Sequence, residues 1–265
     1  MTLLQSFLFF LVSLSASVVG AICGIGGGVI VKPVLDSFGW TSVSAISFFS
    51  NCMVLSMSCY SVFRSMSDRS TPSQFGGSTP LAIGAAAGGV LGKQLFSRIQ
   101  AMFDNANTVG AVQAGSLLVI TVGTMLYMIF KDRIRTRNVQ SGWARVLIGL
   151  ALGVFSSFLG IGGGPINLVV LDYFFSMKTK VAAANSLYVI LFSQAAAVLV
   201  TLVTRTVPAF DWITLIFMVA GGIFGGMIGR KVNKKISGAA VSRLLIGLMG
   251  VIICICAFNV YKYLG

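Results

Sequence analysis

The chain has no histidine and no glutamate, and its six acidic residues are all aspartate. Without imidazole, zinc and haem sites that need histidine ligands are excluded, and so is a Ser-His-Asp catalytic triad. Charged residues occupy only 9% of the 265 positions, whereas a soluble domain usually has about 25%. The sequence therefore predicts a protein that is not an enzyme, with no catalytic residues, no metal site and no cofactor.

Cysteine is scarce as well, and its positions do not indicate a disulfide framework. All five cysteines fall within apolar segments, and Cys254 and Cys256 face different directions on a helix. They are interpreted as small apolar side chains. Residues 1–19 are apolar but lack a basic N-terminal region, so they are predicted to be part of the mature fold rather than a cleaved signal.

Apolar residues dominate the composition instead. They make up 56% of the chain, the mean hydropathy is +0.94, and several runs reach the roughly 20 residues that a membrane span needs. The sequence predicts an all-α polytopic membrane protein in contact with the lipid bilayer, with about 8–10 membrane segments. The apolar segments are 3–22, 24–35, 43–63, 78–97, 108–130, 144–159, 161–174, 181–203, 212–229 and 243–262.

The net charge of +13 could indicate a nucleic-acid partner, but its distribution does not. Most lysine and arginine residues lie in short segments between apolar runs, as in the cytoplasmic loops of membrane proteins. No nucleic-acid partner is predicted. The most basic segment, within residues 131–143, is predicted to be a cytoplasmic linker between a first transmembrane repeat at 1–130 and a second at 144–265.

A glycine cluster that occurs twice is the strongest internal signal. Its first copy contains Gly24, Gly26, Gly27 and Gly28, and an offset of 136 residues gives Gly160, Gly162, Gly163 and Gly164. Each glycine costs a helix about 1 kcal/mol relative to alanine. The clusters are therefore predicted to break two membrane helices and to form re-entrant segments, because broken backbone is tolerated in a membrane when it is buried in protein or lines a cavity.

A helix that starts after such a break is a natural anion site, since its first N–H groups are free and its dipole is positive at that end. Pro165 directly follows the second cluster and fits the first turn of a helix. Close helix packing by small residues is the alternative interpretation. A nucleotide-binding loop is a poor third, because no βαβ pattern or GKS/T sequence accompanies the glycines.

Charge distribution favours two repeats of inverted orientation. If each glycine-rich region enters and returns to its starting side, fourteen basic residues fall on one side and five on the other. The positive-inside rule then puts both termini outside the cytoplasm. Two further glycine series at four-residue spacing, Gly84/Gly88/Gly92 and Gly221/Gly225/Gly229, are predicted to pack helices together.

Polar side chains inside the apolar segments complete the predicted binding site. Lys32 could provide the positive charge for an anion or could extend to the membrane interface. The other candidates are uncharged, which suits an anion that must be released, although hydrogen bonding between helices is the alternative. Asp36 and Asp172 are interpreted as structural or as taking part in proton coupling. The uncharged candidates are Ser47, Asn51, Asn167, Asn185, Ser186 and Gln194.

The duplicated pattern Gly-x-Gly-Gly-Gly-x(4)-Pro-x-Leu, intact from Gly24 to Leu35, resembles the sulfite exporter TauE/SafE family, also called toluene-sulfonate uptake permeases. The element Ala183-Ala184-Asn185-Ser186 and the duplication itself are similar too. The second copy departs from the pattern, since Val169 stands where the first has Pro33, and Asn185 stands where many relatives have threonine.

This resemblance implies a bacterial-type inner-membrane permease for small sulfur-containing anions such as sulfite or organosulfonates. The expected mechanism is alternating access around the paired helix breaks, with coupling to H⁺ or Na⁺ left open. Two alternatives remain: a channel-like anion conductor, and a membrane-embedded enzyme or thiol-relay protein.

Overall fold

The computed structural model describes residues 2–67, 75–102, 106–161 and 163–264, so Gly162 of the second cluster lies outside the described residues. The described chain is all-helical, as predicted, and each apolar segment corresponds to one helix. Residues Lys131–Arg133 add one turn of 3₁₀ helix in the linker. The helices are α1 Leu3–Cys23, α2 Gly28–Phe38, α3 Val43–Met66, α4 Phe75–Met102, α5 Ala106–Phe130, α6 Gly142–Leu159, α7 Gly164–Phe175, α8 Thr179–Val203, α9 Trp212–Lys235 and α10 Gly238–Leu264.

Seven segments in the described part of the chain are long and apolar enough to cross a membrane: α1, α3, residues 108–133 with α5, α6, α8, α9 and α10. The two helices that follow the glycine clusters are short, with 11 residues in α2 and 12 in α7. At about 1.5 Å per residue, each is roughly half the length of a membrane span.

The helix pairs α1–α2 and α6–α7, which are interrupted by the glycine clusters, each return to the level in the fold at which the pair began. The ring of Phe9, early in α1, stacks on Trp40 just beyond α2, with 6.1 Å between the ring centroids. In the second pair, the backbone N–H of Val139, just before α6, donates to the carbonyl of Phe174 at the end of α7 over 2.9 Å. Each pair is therefore a helical hairpin with its bend at the glycines.

The helices pack in matching pairs across the two halves. The most extensive contacts are between α4 and α6 and between α1 and α9, which correspond to each other if α1–α5 matches α6–α10. The pairs α4–α8 and α3–α9 match in the same way, and α5–α10 and α3–α8 lie between the halves. This symmetry agrees with a duplicated chain, whereas the inverted orientation of the halves remains a prediction.

Glycine allows the closest of these contacts. A Cβ atom on Gly84, Gly88 or Gly92 of α4 would collide with backbone carbonyls of α6, and a Cβ on Gly229 of α9 would collide with the carbonyl of Val18 in α1. The packing role predicted for these glycine series is confirmed. It places both broken hairpins firmly against long helices.

Candidate functional site

The first helix break begins at Gly24, which ends α1 in a left-handed conformation with φ of 76°. The chain then folds back against α1. A Cβ added to Gly27 would lie only 3.1 Å from backbone atoms of Ala16 and Ser17. Helix α2 starts at Gly28, and Gly27 precedes it without any side chain that caps the helix. The predicted break, and the helix that starts after it, are confirmed here.

The second break has the same plan. Gly160 ends α6 with φ of 64°, and Gly163 precedes α7 with φ of 108°, a conformation that L-residues with side chains rarely adopt. Pro165 lies in the first turn of α7, where its missing N–H costs nothing. No side chain caps this helix start either.

The two breaks meet each other reciprocally. The backbone N–H of Gly164, the first residue of α7, donates a hydrogen bond of 3.2 Å to the carbonyl of Ile25 in the first break. The carbonyl of Ile161 in the second break lies against Gly28, the first residue of α2, so closely that a Cβ there would collide with it. Each uncapped helix start is thus faced by a carbonyl oxygen from the opposite break.

Lys32 places a positive charge beside the junction, the contact between the two breaks. Its side chain is only 3% exposed, and its Nζ donates to Ser47 Oγ over 2.7 Å and to Gln113 Oε1. A Cβ on Gly160 would lie 3.5 Å from the same Nζ. The ammonium group is therefore held beside the second break by two uncharged side chains.

Gln113 of α5 was missed by the sequence reasoning. Besides accepting from Lys32, its Nε2 donates to the carbonyl of Phe158 over 2.7 Å, next to the end of α6. It is only 3% exposed. The available signal was an amide side chain within the apolar segment 108–130.

Ser47 and Ala183 take equivalent places in the two halves. Ser47 lies against Gly160 at the second break, and Ala183 lies against Gly24 at the first, an offset of 136 residues. By the same offset Ser50 matches Ser186. Ser50 Oγ faces Gly28, where a Cβ would lie 2.7 Å from it.

The remaining predicted residues are buried polar groups with different degrees of satisfaction. Asn185 uses both ends of its amide, since Oδ1 accepts from Ser78 over 2.6 Å and Nδ2 donates to the carbonyl of Val181 over 2.9 Å. Gln194 donates to Ser156 Oγ over 3.1 Å, and Asn167 Nδ2 lies against Gly163. Buried oxygen atoms without a hydrogen-bond partner are found in Asn51, Asn167, Ser186 and Gln194.

Two pockets lie at opposite ends of the helices. One is lined by Lys180, Arg230 and Asn233 together with Ala183, the residue that lies against Gly24. The other is lined by Lys93 and Arg98 of α4 and by the end of α8. Lys93 and Arg230 are equivalent at an offset of 137, so each half contributes a basic residue to one of the pockets.

The chain is similar to transport proteins over nearly its whole length. The family model for sulfite exporter TauE/SafE matches residues 9–255. The probable membrane transporter protein YunE of Bacillus subtilis is 23% identical over 260 residues, covering 87% of this chain and 90% of the relative. The probable membrane transporter protein MamO of Magnetospirillum gryphiswaldense is 25% identical over 270 residues, covering 84% of this chain and 40% of the relative.

No solved structure matches the chain. The family match spans both helix breaks, Lys32 and the matched helix pairs described above. The chain belongs to the sulfite exporter TauE/SafE family of membrane transporters.

Proposed function

We propose that this protein is a secondary transporter for small sulfur-containing anions, such as sulfite or organosulfonates, in a bacterial-type inner membrane. The reciprocal contact of the two helix breaks carries the proposal. Two uncapped helix starts are each faced by a carbonyl oxygen, and the ammonium group of Lys32 lies beside Gly160 of the second break. A helix start and a buried ammonium both favour a negative ligand over a carbonyl dipole.

Binding would exchange protein oxygens for ligand oxygens. The anion takes the place of the Ile25 and Ile161 carbonyls at the helix starts, and the Nζ of Lys32 turns from Ser47 or Gln113 towards it. Because all the displaced partners are uncharged, the anion is held without a competing carboxylate on Lys32 and can leave again. Because Gly24 and Gly160 have no side chain, Ala183 and Ser47 can approach the two breaks closely.

Alternating access would use the two basic pockets at opposite ends of the helices. The pocket with Lys180 and Arg230 borders the first break through Ala183, whereas the pocket with Lys93 and Arg98 lies at the opposite end. Rocking of the two hairpins against the long helices would open one route and close the other. If the halves are inverted as predicted, the positive-inside rule predicts that the Arg230 pocket faces the cytoplasm.

Counterflow in proteoliposomes tests this function. Vesicles that contain the purified protein and unlabelled sulfite are diluted into a trace of labelled sulfite, and a carrier is expected to accumulate the label transiently. Linear flux that never saturates and shows no counterflow would favour a channel. No flux of sulfite or methanesulfonate would contradict the proposed function itself.

A further inference from the structure

A second set of buried polar groups lies next to Lys32, further along α2 from the first break. Helices α2, α5 and α10, with Leu159 at the end of α6, enclose a cavity there with room for about one water molecule, and its polar lining is formed by Lys32, Asp36, Gln113 and Asn259. Asp36 is only 7% exposed and Asn259 only 1%. Asp36 Oδ1 and Asn259 Oδ1 are both buried without a hydrogen-bond partner.

The groups around this carboxylate are mostly cationic or neutral. Lys32 lies one turn away on the same helix, and Lys262, Tyr263 and Cys256 of α10 lie near enough to interact with the charge of Asp36. Lys93 of α4 is close enough for its positive charge to repel that of Lys32. Lys262 itself donates to the carbonyl of Ser37 over 3.0 Å at the end of α2.

Charge balance limits what can bind at this junction. Lys262 is exposed and Lys93 lines a pocket near the end of α4. The deeply buried charges are therefore those of Lys32 and Asp36, which together have no net charge before the ligand arrives. A monovalent anion on Lys32 would leave one uncompensated negative charge deep in the protein, which is costly in a medium of low dielectric constant. The nearest group that can remove this charge is the Asp36 carboxylate.

We propose that Asp36 takes up one proton with each transported anion, which makes the protein an anion–proton symporter. This inference rests on the proposed function. The proton comes from water on the side where the anion enters, forms an O–H bond at Asp36 Oδ1, and returns to water where the anion leaves. The cavity has room for a water molecule, which together with Asn259 Oδ1 would supply the hydrogen-bond partners that the protonated carboxyl needs.

A proton fits this place better than a metal cation. Sodium would need several oxygen ligands and would have to lie beside the ammonium of Lys32. The cavity offers room for about one water molecule, and its unpartnered oxygens are those of Asp36 and Asn259. A proton needs no coordination shell.

The equivalent carboxylate in the second half provides a matched control. Asp172 lies at an offset of 136 from Asp36, but its Oδ2 accepts a hydrogen bond of 2.9 Å from Tyr127 and its side chain is half-buried. Its neighbour at the offset position of Lys32 is Leu168, which has no charge. Asp172 therefore has no ammonium–anion pair to balance.

The experiment uses labelled methanesulfonate, whose charge does not change near neutral pH, so that any proton moved belongs to the protein. Proteoliposomes are held at zero membrane potential with potassium and valinomycin, with or without an inward proton gradient. For one proton per anion, a gradient of one pH unit supports accumulation of about tenfold. A pH-sensitive dye inside the vesicles records proton entry in parallel.

The wild-type protein is expected to accumulate methanesulfonate and to acidify the vesicle interior. Asp36→Asn is expected to keep counterflow but to lose gradient-driven accumulation, while Asp172→Asn keeps both. Accumulation by Asp36→Asn would overturn the proposal. So would wild-type uptake of the anion without acidification, a result that needs no variant and leaves the proposed transport function standing.

Discussion

Lys32 is a buried ammonium group whose two hydrogen-bond partners, Ser47 and Gln113, are both uncharged. A lysine inside a membrane segment is expensive, and direct pairing with a carboxylate is the usual way to lower that cost. Here the ammonium group donates to Ser47 and Gln113, and Oδ1 of the nearby Asp36 has no hydrogen-bond partner. The arrangement leaves the ammonium available to an anionic ligand.

We expect Lys32→Met to weaken sulfite binding by at least about tenfold, because a hydrogen bond to a charged group contributes about 1.5–3 kcal/mol. The measurement is the rise in unfolding temperature of the purified protein with increasing sulfite. Lys131→Met is the matched control: that lysine also bonds two hydroxyl groups, Thr179 and Ser242, at 3.4 Å each, but lies in the linker. An equal sulfite-dependent shift in wild type and Lys32→Met would exclude Lys32 from the site.

Single residues differed in how far the sequence could identify them. Lys32 was predictable because a charge within an apolar run is conspicuous. Gln113 was not, since it has no counterpart in the repeat, where Met249 stands at the same offset. Asn185 was predictable as a buried polar residue, but its bond to Ser78, more than 100 positions away in the chain, was not.

At the scale of the helix elements, glycine identified the breaks but not how they meet. The contacts between them use the backbone carbonyls of Ile25 and Ile161, and a sequence of apolar side chains carries no sign of them. The short lengths of α2 and α7 followed from the position of each cluster within its apolar region. Their return towards the start of α1 and α6 depends on tertiary contacts such as Phe9 with Trp40.

A single methyl group at the junction tests whether the breaks must stay in contact. Gly28→Ala places a Cβ against the carbonyl of Ile161, so we expect a loss of stability of about 1–3 kcal/mol and a large loss of sulfite counterflow. Gly247→Ala in α10 is the control, because a Cβ there meets nothing within 4 Å. That change should raise the free energy of unfolding by about 0.5–1 kcal/mol and leave flux unchanged.

Thermal unfolding in detergent and counterflow in vesicles measure the two effects separately. A Gly28→Ala protein that transports at the wild-type rate would show that the closed junction is not needed for function. Slow transport by a protein as stable as the wild type would instead place the effect in the conformational change.

For the whole molecule, the contacts at the helix ends and the basic residues point to the same arrangement. At one end of the helices, Lys262 donates a hydrogen bond to the carbonyl of Ser37 and Gln100 donates to the hydroxyl of Ser44. At the other end, Arg145 donates to the carbonyl of Gly77 and Lys131 donates to the hydroxyl of Thr179. The second end includes the basic linker, which the positive-inside rule predicts to be cytoplasmic. Each half consists of one hairpin, which returns to the end where it began, followed by three long helices, which each cross to the other end. The first half therefore leads from the first end to the linker at the second end, and the second half leads back, so both termini lie at the first end.

Paired cysteine labelling decides between inverted and parallel halves. Gln100 and Ser237 are exposed, uncharged and equivalent at an offset of 137, so neither substitution by cysteine changes the charge bias. In a cysteine-free background, an impermeant maleimide applied to intact cells should label Gln100→Cys, whereas Ser237→Cys should react only after the membrane is opened. Parallel halves would put both positions on the same side and give equal labelling. In the inverted arrangement, one hairpin can close the Arg230 pocket while the equivalent hairpin of the other half opens the Lys93 pocket. The alternating-access mechanism therefore requires this labelling pattern.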